Sequence, residues 1–166
     1  MGDSSFILPD VMTVIVPAHN EARVIGRLLR GIVPDDGEPN LDIIVVANGC
    51  TDDTATVAAA FGPAVRVLDI PVPSKRAALA AGDEVAKGFP RVYLDADVEL
   101  DNEDLQALSK ALGAPGVLAA VPVRDLNLAD SAWIVRWYYE IWSRLPNIQH
   151  GLFGRAHWSC GRERAP

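Results

Sequence analysis

Cysteine is scarce. Cys50 and Cys160 are the only two in 166 residues, far apart and in no metal-ligand spacing. That excludes a disulfide framework and a structural zinc site, and it suits a reducing compartment. Basic charge is also short: 15 Lys and Arg stand against 22 Asp and Glu, a net charge of −7. A sequence-independent nucleic-acid binder needs a basic surface that releases counterions, so no nucleic-acid partner is expected. No apolar run approaches the roughly 18 to 20 residues that span a bilayer. The opening "MGDSSFILPDVMT" has no basic segment, and Pro9 and Asp10 interrupt its apolar run, so it does not read as a secretory signal. Nor does it carry Ser or Thr where myristoylation prefers one. A cytoplasmic protein is the expectation.

What is present is an ordinary globular composition, 49% hydrophobic and 22% charged, in a length that suits one domain. Residues 11–16, "VMTVIV", form a β-branched run stopped by Pro17, and residues 41–47, "LDIIVVA", form a second. Continuous apolar runs of this length predict strands covered on both faces. Between them the period changes to helical: from Asn20, Val24, Ile25, Leu28 and Leu29 share one face, with Gly31 at the end. The alternation repeats. A helix is predicted over 51–62 with Thr51 or Asp52 as cap, a strand over 64–70, and a helix over 74–88 capped by Ser74 and closed by Gly88. Then come a strand over 91–95, a helix over 101–113 capped by Asp101, and a fifth strand over 116–123. Strands alternating with helices predict an α/β fold, a mostly parallel sheet with helices on both faces.

In such a sheet ligands bind beyond the carboxyl ends of the strands. Three segments fall there: 17–21 "PAHNE", 48–52 "NGCTD" and 95–97 "DAD". On an extended segment Asp95 and Asp97 would share a face. Two carboxylates so placed call for a cation, and a hard divalent ion, Mg²⁺ or Mn²⁺, held by carboxylates and substrate phosphates fits them. The bland reading is a helix cap beside a solvated acid. Lys75 and Arg76 open a helix, where cations and main-chain N–H groups together make an anion site. His19 reads as a hydrogen-bonded pocket wall rather than a base.

Four segments, "VIVPAHNE", "DIIVVANGCTDDT", "VPSKRAALAAG" and "VYLDADVEL", in this order and spacing, resemble the nucleotide-sugar-binding half of the inverting GT-A glycosyltransferases of family 2. The similarity covers residues 11–123. The resemblance implies a GT-A, Rossmann-like fold with the donor nucleotide across the strand ends and a metal at Asp95 and Asp97 under the diphosphate. Carried over position by position, Pro17, Ala18, His19 and Glu21 match the segment lining the nucleoside pocket. Lys75 and Arg76 match a basic segment near the nucleotide, and Ala96 lies within the metal motif. Asn48 stands where the family often has the second Asp of a D-D-G-S turn. Its amide offers an acceptor and two donors, a match for the imide edge of uracil or guanine, and UDP is favoured over GDP.

Residues 124–166 depart from the family pattern. An aromatic helix is expected over 128–145, carrying Trp133, Trp137, Tyr138, Tyr139 and Trp142 nearly all round. It packs on its own sheet, or pairs with a second copy in a homodimer, or touches a membrane surface. No acid after the fifth strand has the context of the family's general base, so the catalytic base is unassigned and the chain reads as a donor-binding half with a shortened tail. The expected activity is sugar transfer from a nucleotide-diphosphate donor to an unknown acceptor. The alternatives are a nucleotide-binding module without turnover or one dependent on a partner chain, and a haloacid-dehalogenase-like phosphatase, whose paired Asp motif normally opens the first strand.

Overall fold

The computed structural model describes residues 11–34, 40–120 and 158–160. Chain contacts group Met1–Ala120 with His157–Pro166 as one compact unit and Val121–Ala156 as a second. All described residues belong to the first. The aromatic helix over 128–145, with the dimer and membrane readings attached to it, lies outside them, as do the N-terminal ten residues and the end of the fifth strand.

Four parallel strands carry the fold: β1 Met12–Ala18, β2 Leu41–Asn48, β3 Val65–Ile70 and β4 Arg91–Tyr93. The helices are α1 Ile25–Ile32, α2 Thr54–Ala59, α3 Lys75–Val85 and α4 Asn102–Leu112. Two short strands complete the sheet, β5 Ala119–Ala120 and β6 Trp158–Cys160, in the order β3-β2-β1-β4-β6-β5. β6 runs antiparallel to both its neighbours. The expected α/β sheet is thus present, and the antiparallel β6 wedged between β4 and β5 was not foreseen. Its short stretch has no apolar period that would mark it as a strand.

The apolar runs are buried because both faces are covered. Val14, Val16, Ile43 and Val45 pack with α1, α2 and α4, while Ile15, Ile44 and Val46 pack with Ala78 of α3. That is strand alternation sending neighbouring residues to opposite layers. Gly82 lets α3 settle on the sheet, since a Cβ there would lie 2.5 Å from Ile15 Cγ2.

At the N-terminal ends of the strands Asp42 is buried but fully paired. Arg66 donates to both its oxygens at 2.9 and 2.7 Å, and the Lys87 N–H donates at 3.1 Å. A buried carboxylate is tolerated when partners surround it in this way.

Ser74 and Asp101 cap α3 and α4 as the sequence predicts, and Asp104 completes a capping box with Asp101. Three helix limits differ. α1 begins at Ile25, because Asn20 takes a left-handed conformation (φ 56°) and a turn intervenes. α2 has Asp53 at its N-cap without a side-chain bond, while Asp52 accepts from Thr54 instead. α3 ends at Val85, and Gly88 serves a close approach rather than a helix stop: a Cβ there would sit 2.2 Å from the Val11 carbonyl oxygen.

Candidate functional site

The sheet order reverses at β1: β2 and β3 lie to one side and β4 to the other. An open α/β sheet receives ligands beyond the carboxyl ends of the strands that flank such a reversal, here β1 and β4. Every rim segment singled out in the sequence reaches this end; side-chain bonds tie 17–21 to 48–52, and the third segment, 95–97, is held from α3 and α1.

The loops after β1 and β2 are laced. Asn48 Nδ2 donates to the Ala18 carbonyl at 2.8 Å, and His19 Nδ1 lies 2.6 Å from the Asn48 carbonyl. A carbonyl can only accept, so Nδ1 carries the proton and Nε2 is left as an acceptor in the neutral ring. The Asn20 side chain accepts from Thr51 N–H at 2.8 Å, Thr54 Oγ1 accepts from Glu21 N–H at 2.8 Å, and Asp52 accepts from Ala22 N–H at 3.1 Å. The Thr54 hydroxyl donates to Asp52, and this bond, with the Ala22 and Thr54 N–H groups, holds the Asp52 carboxyl below its ordinary 3.8. Gly49 is required at its place: its φ is 59°, and a Cβ would lie 2.8 Å from Pro73 N.

Two sequence arguments change here. Asn48 is 4% exposed and its amide nitrogen faces main-chain carbonyls of Ala18 and Val46, so its donors hold the strand ends together. The donors of that amide, which the imide-pairing argument assigned to a base carbonyl of uracil or guanine, are thus engaged with main chain. The paired aspartates are also not on an extended segment. β4 stops at Tyr93, Leu94 N–H makes one more bond to Ile15 O at 3.0 Å, and the Val98 N–H then folds back to Asp95 O at 3.3 Å. Ala96 and Asp97 are at the centre of that turn, so strand alternation does not set their directions.

Within the turn Ala96 is buried in the core, Asp97 is exposed and the Asp95 side chain is mostly covered. The cation beside Asp95 is Lys75, whose ammonium pairs with Asp95 Oδ1 from the first turn of α3. Arg27 of α1 holds the same turn from the other side, donating to the Asp97 carbonyl at 3.4 Å and pairing with Glu99 at 2.9 Å. Arg27 is not among the residues singled out in the sequence, because it lies off the apolar face of its helix. Pro17 is buried opposite Val46, and Arg76 is exposed. Among the described residues no group of three or more His, Cys, Asp or Glu could hold a metal unaided.

The family model described as "Glycosyl transferase family 2" matches residues 13–158, most of the chain. The chain belongs to glycosyl transferase family 2. Among family relatives, the 4,4'-diaponeurosporenoate glycosyltransferase of Staphylococcus aureus is 43% identical over 54 residues, 32% of this chain and 14% of that enzyme. A solved structure of a mannosyltransferase from Pyrobaculum calidifontis, in complex with GDP-Man and Mn²⁺, is 30% identical, with a TM-score of 0.62 over 69% of this chain and 35% of that one. The glucosyl-3-phosphoglycerate synthase of Mycobacterium tuberculosis in complex with UDP shares the fold, with a TM-score of 0.66 at 22% identity over 92% of this chain and 57% of that one. The chain therefore spans less than two thirds of the length of each.

Proposed function

We propose that this chain forms the donor site of a glycosyltransferase that moves a sugar from a nucleoside diphosphate to an acceptor, with Mg²⁺ or Mn²⁺ at Asp95 and Asp97. The observation that carries the reading is the meeting of Lys75 with Asp95 at the point where the strand order reverses. A cation and a carboxylate, the kinds of side chain that suit a diphosphate and a divalent metal, stand together where such a fold receives its ligand.

The residues fit the ion. With two carboxylates from the turn, the remaining ligands of a hard divalent cation would be diphosphate oxygens and water, its customary mode beside phosphate substrates. Once bound, it would act as a Lewis acid toward the leaving diphosphate. The chain's own contribution is placement. Lys75 and the N-terminal turn of α3 supply positive charge toward the diphosphate, and His19 and Glu21 face the nucleoside side, with the buried Pro17 and Ala18 as the strand end behind them. With the Asn48 donors engaged, Asn48 no longer separates uracil from guanine, and the proposed base is either of them. Neither the acceptor of the sugar nor the general base that activates it is assigned to a described residue.

Calorimetric titration with UDP and GDP, with Mn²⁺ or with chelator, tests this reading. Binding is expected only with the metal, and Asp97→Ala should weaken it without lowering the melting temperature, because a rim carboxylate contributes little packing. Equal binding in chelator would remove the metal role. A lowered melting temperature with intact binding would make Asp97 a structural residue.

A further inference from the structure

Lys75 stands at an unfavourable place for a cation. It is the first residue of α3, whose first turn has no acid, whereas α4 carries Glu103 and Asp104 there. The exposed N–H groups at a helix start repel positive charge, so an ammonium in this turn is disfavoured by the helix itself. What holds it is Asp95, twenty positions away in sequence and reached across the rim. The pairing is asymmetric: the Asp95 side chain is 17% exposed and that of Lys75 62% exposed. The carboxylate is therefore set in the rim, and the cation comes to it from solvent on a flexible stem.

We propose that Lys75 is a stand-in cation. It neutralises Asp95 when no donor is bound and is released to the donor diphosphate when Asp95 is taken up as a metal ligand. The proposal rests on the donor-site reading above and deepens it. An ammonium beside Asp95 competes with a divalent ion for the same oxygen and repels it. The diphosphate removes this competition by giving Lys75 a second anionic partner. Metal and nucleotide then assist each other through one side chain, and by reciprocity the factor by which each raises the other's affinity is the same. Lys75 is a positioning residue in this account, and its exposed stem allows the exchange without movement of α3.

Mn²⁺ binding, read by the electron paramagnetic resonance of the free ion, tests the exchange in the full chain without any turnover assay. Lys75→Met, which keeps the stem and drops the charge, should bind Mn²⁺ alone about 5-fold more tightly than the parent. The same variant should bind UDP or GDP more weakly in the presence of Mn²⁺. Lys75→Arg should behave like the parent toward Mn²⁺ alone. Opposite signs for metal and nucleotide are the signature, since mere structural damage would weaken both. Unchanged or weaker Mn²⁺ binding by Lys75→Met would overturn the exchange while leaving the donor site standing. A parent chain that takes up no Mn²⁺, with or without nucleotide, would overturn both readings.

Discussion

Asn48 Nδ2 donates to the Ala18 carbonyl at 2.8 Å, and that bond joins the last residue of β2 to the last residue of β1. The amide is the only part of the side chain that can do this, because a carbonyl offers no proton. Asn48→Asp would place a carboxylate oxygen against the Ala18 carbonyl at a position 4% exposed, although Asp is the residue that the family resemblance leads one to expect. The expected cost is about 1 to 3 kcal/mol, seen as a lowered midpoint in urea or thermal unfolding. An unchanged midpoint would show that the bond contributes nothing to holding the strand ends.

Gly31 lies inside α1, where alanine would ordinarily stabilise a helix by up to about 1 kcal/mol. Here the opposite sign is expected. A Cβ at this position would stand 2.2 Å from the Leu100 carbonyl oxygen, which belongs to the chain leading away from the Asp95–Val98 turn. Main chain cannot swing aside as a side chain can, so Gly31→Ala should destabilise by about 1 to 3 kcal/mol. It should also weaken Mn²⁺-dependent nucleotide binding, because α1 supports that turn through Arg27. A variant as stable as the parent, measured by denaturant titration, would remove this account.

Tyr93 has its phenol pushed up to about 12, first by burial and then by its hydrogen bond and proximity to Asp83. The fold thus favours the neutral phenol. Its contribution to stability is fully present below the unfolded value of 10 and is lost as pH rises through about 12. In a titration followed by phenolate absorbance, a late-ionising step should appear, and Tyr93→Phe should abolish it. Three tyrosines all titrating near 10 in the folded chain would contradict it.

Sequence alone determined what depends on neighbours along the chain. The β-branched runs of β1 and β2, the Ser74 and Asp101 caps and the helical periods between them are local signals, and each led to its element. Their alternation was enough for a parallel α/β sheet, and the strand-end rule was enough to find the rim. Tertiary structure decided whatever rests on pairing between distant residues. β6 becomes a strand only because β4 and β5 offer edges to it, and nothing within Trp158–Cys160 encodes those partners. The same holds at the site. The position of the two aspartates at a strand end was legible, but the turn that carries them, Lys75 as the partner of Asp95, Ala18 as the partner of Asn48 and Arg27 as the support of the turn are set by distances across the folded rim. A side chain's partner there is whatever the packing of α1 and α3 brings within hydrogen-bond reach, and that packing is a property of the whole sheet.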